Sequence, residues 1–434
     1  MGAKWMVVAA LALVANVAQA APKIEHWTLD NGARVYFVRA KELPLLQLRL
    51  VFDAGSSRDP AERSGVALYT GRLLNFGAAG LDADAIAAGF ENLGAEFGTG
   101  VDRDMATVEL RSLSDRKLLR PALDLFATVI SEPTFPQDAL DRERARGLVG
   151  LQRDAQQPGV IAEKAFMRSL YGAHPYARPP VGTEASLKAL TRDDLTAHHR
   201  RYYTGANAWL AIVGDASIGE AKEIARRVLG RLPRGEAAAP LPAPPPLAAP
   251  VHEQIPFPAS QSHIRLGQPA IARTDPDYFP LLVGNYTLGG GGLVSRLADE
   301  IREKRGYAYS VYSYFYPLRV AGPFMLGLQT KNAQRDDALK VVRKVLTDFV
   351  TEGPTPKELE AAKKHLTGSF PLRLDSNKKI ADQLSAIAFY GLPLTYLDDF
   401  IPKVEAVTIE QIRDAFKRRV DPERLATVIV GGAP

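Results

Sequence analysis

TRDDLTAHHRRYYTGANAWLAIVGD (residues 191–215) and TIEQIRDAFKRRVDPERLATVIVGG (residues 408–432) align without a gap, and this self-similarity decides how the chain folds. Each copy opens on a threonine, an N-cap signal, and continues through an amphipathic helix with Leu195 or Ile412 at the same place. Each then turns and ends in an apolar strand closing on Val213-Gly214 or Val430-Gly431. A second pair lies upstream, where ALDLFATVISEPTFP (122–136) matches VRKVLTDFVTEGPTP (342–356). Each of these is a helix closed by a proline-containing turn before another charged helix. Two matches at nearly one separation mark the halves as duplicates.

Between the halves the composition changes abruptly to GEAAAPLPAPPPLAAP (235–250). Its prolines forbid a continuing helix or a central strand and favour an extended, semi-rigid spacer. The expected organisation is a first lobe at 21–234, a linker at 235–255 and a second lobe at 256–434. Alternating strand patterns open both halves, as in Ala33–Val38, Leu46–Val51, His263–Leu266 and Pro323–Leu328. Helical segments alternate with them. The fold class is therefore α+β: two homologous lobes, each a mostly antiparallel sheet covered by helices on one face, facing each other across a cleft.

Residues 1–20 read as a targeting segment. Lys4 is its only charge, an apolar run of about thirteen residues follows, and Ala18-Gln19-Ala20 gives a small-x-small cleavage pattern. Roughly twenty residues are needed to span a bilayer, so no stable membrane anchor is expected, and the mature chain is placed in the periplasm or outside the cell. The chain has no cysteine, which excludes a disulfide and a lipoprotein anchor. A formal charge of +5 is mildly basic, but charges alternate along helices such as Asp141-Arg142-Glu143-Arg144. That is a solvated face and not a nucleic-acid stripe.

Several runs together resemble the family of pitrilysin, insulysin and the mitochondrial processing peptidase, the inverted zincins. They are Ala54-Gly55-Ser56-Ser57-Arg58-Asp59 with Gly65-Val66-Ala67, Tyr171-Gly172-Ala173-His174-Pro175-Tyr176, Val213-Gly214-Asp215, and Ser295-Arg296-Leu297 leading into Arg302-Glu303-Lys304-Arg305-Gly306. The family's enzymes bind zinc through His-x-x-Glu-His, whose histidines share a helical face while the glutamate acts as general base. Aligned on Gly65, this chain has Leu68, Gly71 and Arg72 there, and Gly150 at the distal glutamate ligand. All four positions have lost their chemistry. No metal is expected on this chain. None of its seven histidines forms an H-x-x-x-H pair, and the adjacent His198 and His199 point about 100° apart on a helix.

The second half keeps more. The resemblance places Arg302 and Tyr309 where similar enzymes carry an Arg and Tyr pair that reaches across the cleft to substrate near the zinc. A guanidinium and a phenol suit a developing oxyanion or the neighbouring carbonyls; Tyr307 is the other tyrosine within reach of that role. Gly290 and Gly291 lie in a glycine run that the resemblance links to substrate handling. No G-K-[ST] accompanies that run, so a nucleotide loop is not indicated. The resemblance thus implies a zinc-free subunit of a heterodimeric metallopeptidase for peptides or unfolded protein. A homologous partner carries the zinc, and this chain is not a peptidase alone. The rival is an inactive structural or peptide-binding protein of the same fold.

Overall fold

The structure, a computed structural model, describes residues 22–432; the targeting segment read at 1–20 lies outside them. The principal elements of the first half are β1 (Glu25–Thr28), β2 (Arg34–Arg39), β3 (Leu45–Phe52), α1 (Val66–Arg72), β4 (Glu96–Val101) and β5 (Ala106–Leu113). They continue with α2 (Arg116–Ser131), α3 (Gln137–Asp154), α4 (Pro158–Tyr171), α5 (Arg192–Tyr202), β6 (Ala208–Gly214) and α6 (Ile218–Leu229). The second half contains β7 (Val251–Ile255), β8 (Gln261–Ile271), α7 (Tyr278–Asn285), β9 (Ala308–Phe315), β10 (Gly322–Lys331) and α8 (Arg335–Glu352). It ends with α9 (Pro356–Ser369), α10 (Asn377–Tyr390), α11 (Tyr396–Ala406), α12 (Ile409–Arg419) and β11 (Ala426–Val430).

The strands form two sheets, in the orders β1-β2-β6-β3-β5-β4 and β9-β10-β8-β11-β7. Each is antiparallel except for one parallel pair, β2 with β6 in the first and β7 with β11 in the second. The duplicated segments become equivalent elements. Thr191 and Thr408 both close capping boxes, with Asp194 and Gln411, and start α5 and α12. The strands that follow, β6 and β11, sit centrally in their sheets. Residues 251–255, assigned to the linker from sequence, instead form β7. They pair with β11 as β2 pairs with β6, so the second half begins at Val251.

Helices of each half cover one face of their own sheet, burying Leu123, Phe126 and Val228 in the first core and Leu346, Phe349 and Phe416 in the second. The opposite faces show what the sequence did not: the halves exchange a helix. The second half's α10 lays Ile380, Ala381 and Leu384 on Val38, Ala211 and Val213, while Phe389 meets Trp209 edge-on at 5.1 Å. The first half's α4 lays Phe166, Met167 and Leu170 on Val428 and Val430. Phe166 fits because Gly267 carries no side chain; a Cβ there would stand 2.9 Å from the ring. Each sheet is therefore apolar on both faces, and neither half covers the second face of its sheet without the other.

A polar latch fixes the same junction. Asp104, buried in a turn of the first half, accepts hydrogen bonds from Tyr176 Oη (2.6 Å), from Tyr390 Oη (3.1 Å) and from the Arg319 backbone N–H (2.8 Å). The last two come from the second half. Burial pushes the Asp104 carboxyl above its ordinary range, against these donors. Arg319 also reaches Asp53, which is held bidentately by Arg58 at 2.7 and 2.8 Å. The linker is strapped down as well, with Pro242 O on His174 and Ala239 O on Arg58.

Candidate functional site

The helix that carries zinc ligands in the enzymes begins here at Gly65, whose φ of +101° a side chain would strain. Asp59 holds this start: its carboxylate accepts from the backbone N–H groups of Gly65 (2.6 Å) and Ala67 (3.0 Å). Burial pushes that carboxyl up to about 7 despite the two donors. Gly55 of the preceding turn is needed because the backbone of Arg103 and Asp104 passes against it. The motif that carried the resemblance is thus occupied in building the turn and capping α1.

Downstream, the ligand positions are stripped of their chemistry, and two positions beside them are closely packed. Gly71 is buried, and a Cβ there would lie 2.7 Å from Val101 Cγ2. A glutamate general base there would require the Val101 side chain to move. Arg72 is exposed and its guanidinium lies over the Tyr69 ring at 5.9 Å, a fixed positive charge where a cation would sit. On the facing helix α3, the Tyr69 hydroxyl presses against Gly147, leaving no room for a side chain. Gly150, three residues on and on the same face, borders open space but has no carboxylate to offer. These residues do not fit zinc.

Elsewhere, no three His, Asp or Glu side chains converge among the described residues. His198 and His199 are spent on backbone carbonyls, of Ala54 at 3.3 Å and Ile130 at 2.7 Å, and burial holds both down to about 4. His174 is held between Pro242 O (2.9 Å) and the Tyr176 N–H (3.1 Å).

Arg302 and Tyr309 come together. Arg302 sits in a widened helical turn, Asp299–Glu303, closed by Lys304 N–H on Asp299 O at 2.9 Å. Such turns recur at functional sites because they push a residue out of the helical register. Tyr309 lies near the start of the edge strand β9, where the pairing with β10 slips between Ala308 and Val311. The slip turns Tyr309 outward, leaving it 83% exposed. The Arg302 guanidinium lies 4.6 Å from its ring centroid, with Nη1 3.3 Å from Tyr309 O and Nε 3.2 Å from Glu303. Tyr307, by contrast, packs on the second core. Gly290 and Gly291 occupy another widened turn, where side chains would collide with Asn285 and Tyr286 respectively. The next two apolar residues, Leu293 and Val294, are exposed. Sequence reasoning missed the Asp104 latch; its one visible signal was Tyr176 within the Tyr171–Tyr176 run.

Comparisons with known proteins identify the relatives of this chain. Residues 35–184 match the family model for insulinase (peptidase family M16), and residues 189–366 match that for the peptidase M16 inactive domain. A solved structure of a peptidase M16 inactive domain from Pseudomonas fluorescens is 44% identical, with a TM-score of 0.91 over 95% of this chain and 98% of that one. A non-peptidase homolog of Helicobacter pylori is 26% identical over 407 residues, 89% of each chain. A zinc protease of Streptomyces coelicolor, described as uncharacterized, is 26% identical over 418 residues, 94% of this chain and 89% of that one. With both family models matched in order and a 44% identical relative superposing along its whole length, the chain belongs to peptidase family M16.

Proposed function

We propose that this chain is inactive alone and serves as the zinc-free subunit of a two-chain metallopeptidase, exported from the cytoplasm, that degrades peptides or unfolded protein. The observation that carries this reading is the contrast between its halves. In the first half Leu68, Gly71, Arg72 and Gly150 stand at the ligand and base positions and offer no chemistry for a metal. Yet the second half holds the Arg302 guanidinium over the ring of Tyr309, which a slip in β9 turns out to solvent. An exposed tyrosine aligned with a guanidinium is a preorganised donor pair, suited to the carbonyls of an extended peptide or to an oxyanion. In this reading a homologous chain supplies zinc and general base, and this chain supplies substrate binding. Names borne by relatives, a non-peptidase homolog and an inactive domain, fit a subunit that does not cut alone. The test is to assemble the Arg302→Ala and Tyr309→Phe variants with a zinc-bearing family member from the same cell. Turnover should fall while assembly persists; unchanged turnover leaves the chain a scaffold.

A further inference from the structure

The second half contains an open cavity between the two helices that correspond to the pair carrying the ligand positions in the first. Helix α7 packs against α12 as α1 packs against α5, and α9 occupies in the second half the position of α3. Between α7 and α9 lies a cavity of about 270 Å³, walled by Leu282, Tyr286, Tyr314 and Leu366 and edged by His365 and Arg373. In the first half this space is closed by the Tyr69 hydroxyl on Gly147 and by Val101 on Gly71. In the second half the Tyr286 ring swings aside and stacks on His365 at 4.7 Å, 27° from coplanar.

Two polar groups at the rim have no partner of their own. Among the described residues Arg373 makes no ion pair or hydrogen bond; its guanidinium rests over the Phe400 ring at 5.5 Å, and Phe400 stacks on Phe370 at 4.2 Å. That stack holds the guanidinium in place while leaving its N–H groups unused. His365 likewise has no hydrogen-bond partner among the described residues. Aromatic and leucine walls take an apolar group, while a planar fork of unused donors takes a carboxylate. The volume lies just under the roughly 300–1,000 Å³ of small-molecule pockets, which limits the occupant to one or two residues.

We propose that this cavity binds the C-terminal residue of a peptide, with its apolar side chain against Leu282, Tyr286 and Leu366 and its carboxylate on Arg373 and His365. That the carboxylate belongs to a peptide rather than to a free apolar acid rests on the peptide-handling role proposed above; the chemistry of the pocket does not. The experiment uses the isolated chain, so it is decided whether or not a zinc-bearing partner exists. Calorimetry compares an acetylated tetrapeptide ending in phenylalanine with its C-terminal amide and with N-acetylphenylalanine. The tetrapeptide should bind, the amide at least about tenfold more weakly, and the free amino-acid derivative more weakly than the tetrapeptide. Arg373→Gln should remove the preference for carboxylate, and Leu366→Trp, which fills the cavity, should abolish binding, with unchanged circular dichroism as the check on folding. Equal binding of acid and amide, or binding indifferent to both substitutions, overturns the assignment. Binding of N-acetylphenylalanine without the tetrapeptide overturns the peptide part alone.

Discussion

Replacing Arg302 by alanine separates a functional from a packing role because the structure gives very different magnitudes for the two. The side chain makes one cation–π contact with an exposed ring, worth about 0.5–1 kcal/mol, one solvent-facing pair with Glu303, worth about 0–1 kcal/mol, and one long, exposed hydrogen bond to Tyr309 O, worth at most about 1 kcal/mol. Tyr309 is 83% exposed, so Tyr309→Phe removes a hydroxyl already in water and costs almost nothing in stability. Melting temperatures should therefore drop by no more than a few degrees for Arg302→Ala and stay constant for Tyr309→Phe. Loss of a donor that acts in the transition state typically costs 10²–10³ in rate, or roughly 2.7–4 kcal/mol. The assay is kcat/KM on an unfolded peptide substrate, with each variant assembled with zinc-bearing partner and assembly checked by size-exclusion chromatography. A fall of at least about a hundredfold in fully assembled complex supports the role in trans. If kcat/KM is unchanged, or falls only in step with the fraction assembled, the donor argument is wrong.

Restoring the family motif with Leu68→His, Gly71→Glu and Arg72→His should not restore tight zinc binding, because Gly150 still offers no carboxylate at the distal ligand position; stoichiometric zinc in the triple variant would contradict this. Phe166→Ala, which empties the seat of an exchanged helix on Gly267, should cost about 3–5 kcal/mol in chemical denaturation and loosen both halves together; a loss below about 1 kcal/mol would mean that the halves fold independently. His198 and His199 have folded values of about 4, below the ordinary 6.5, so their contribution is complete above pH 6.5 and is lost as pH falls towards 4, by up to about 3 kcal/mol each. Asp59, raised to about 7, works in the opposite sense over the same window, so the comparison must be between variants. The His198→Gln, His199→Gln pair should lose less stability than the parent chain between pH 7 and 4.5, and equal slopes would refute the assignment.

The duplication was readable because it rests on local signals. The capping threonines Thr191 and Thr408 and the strands ending at Gly214 and Gly431 repeat in composition and spacing, and both sets form equivalent elements. The loss at Leu68, Gly71 and Arg72 was equally plain, since no ligand chemistry can be drawn from those side chains. Helix exchange was not readable. The apolar face of α10 looks the same whether it covers its own sheet or its neighbour's, and only tertiary packing decides. The start of the second lobe at Val251 was hidden by the proline run beside it, which masks a short strand whose partner lies far along the chain. Arg302 and Tyr309 were found by family resemblance and not by spacing. A bulge in β9 gives no sequence signal of its own, yet it decides which tyrosine faces out.

If the catalytic metal belongs to another chain, counting zinc in each separated chain and measuring peptide hydrolysis before and after mixing will reveal it. This chain should carry no stoichiometric zinc and cleave nothing alone. The partner should carry one zinc, and hydrolysis should appear when the two are combined. One tightly bound zinc on this chain with chelator-sensitive cleavage in its absence of partner, or a zinc-bearing partner whose activity is the same with and without it, would contradict the account.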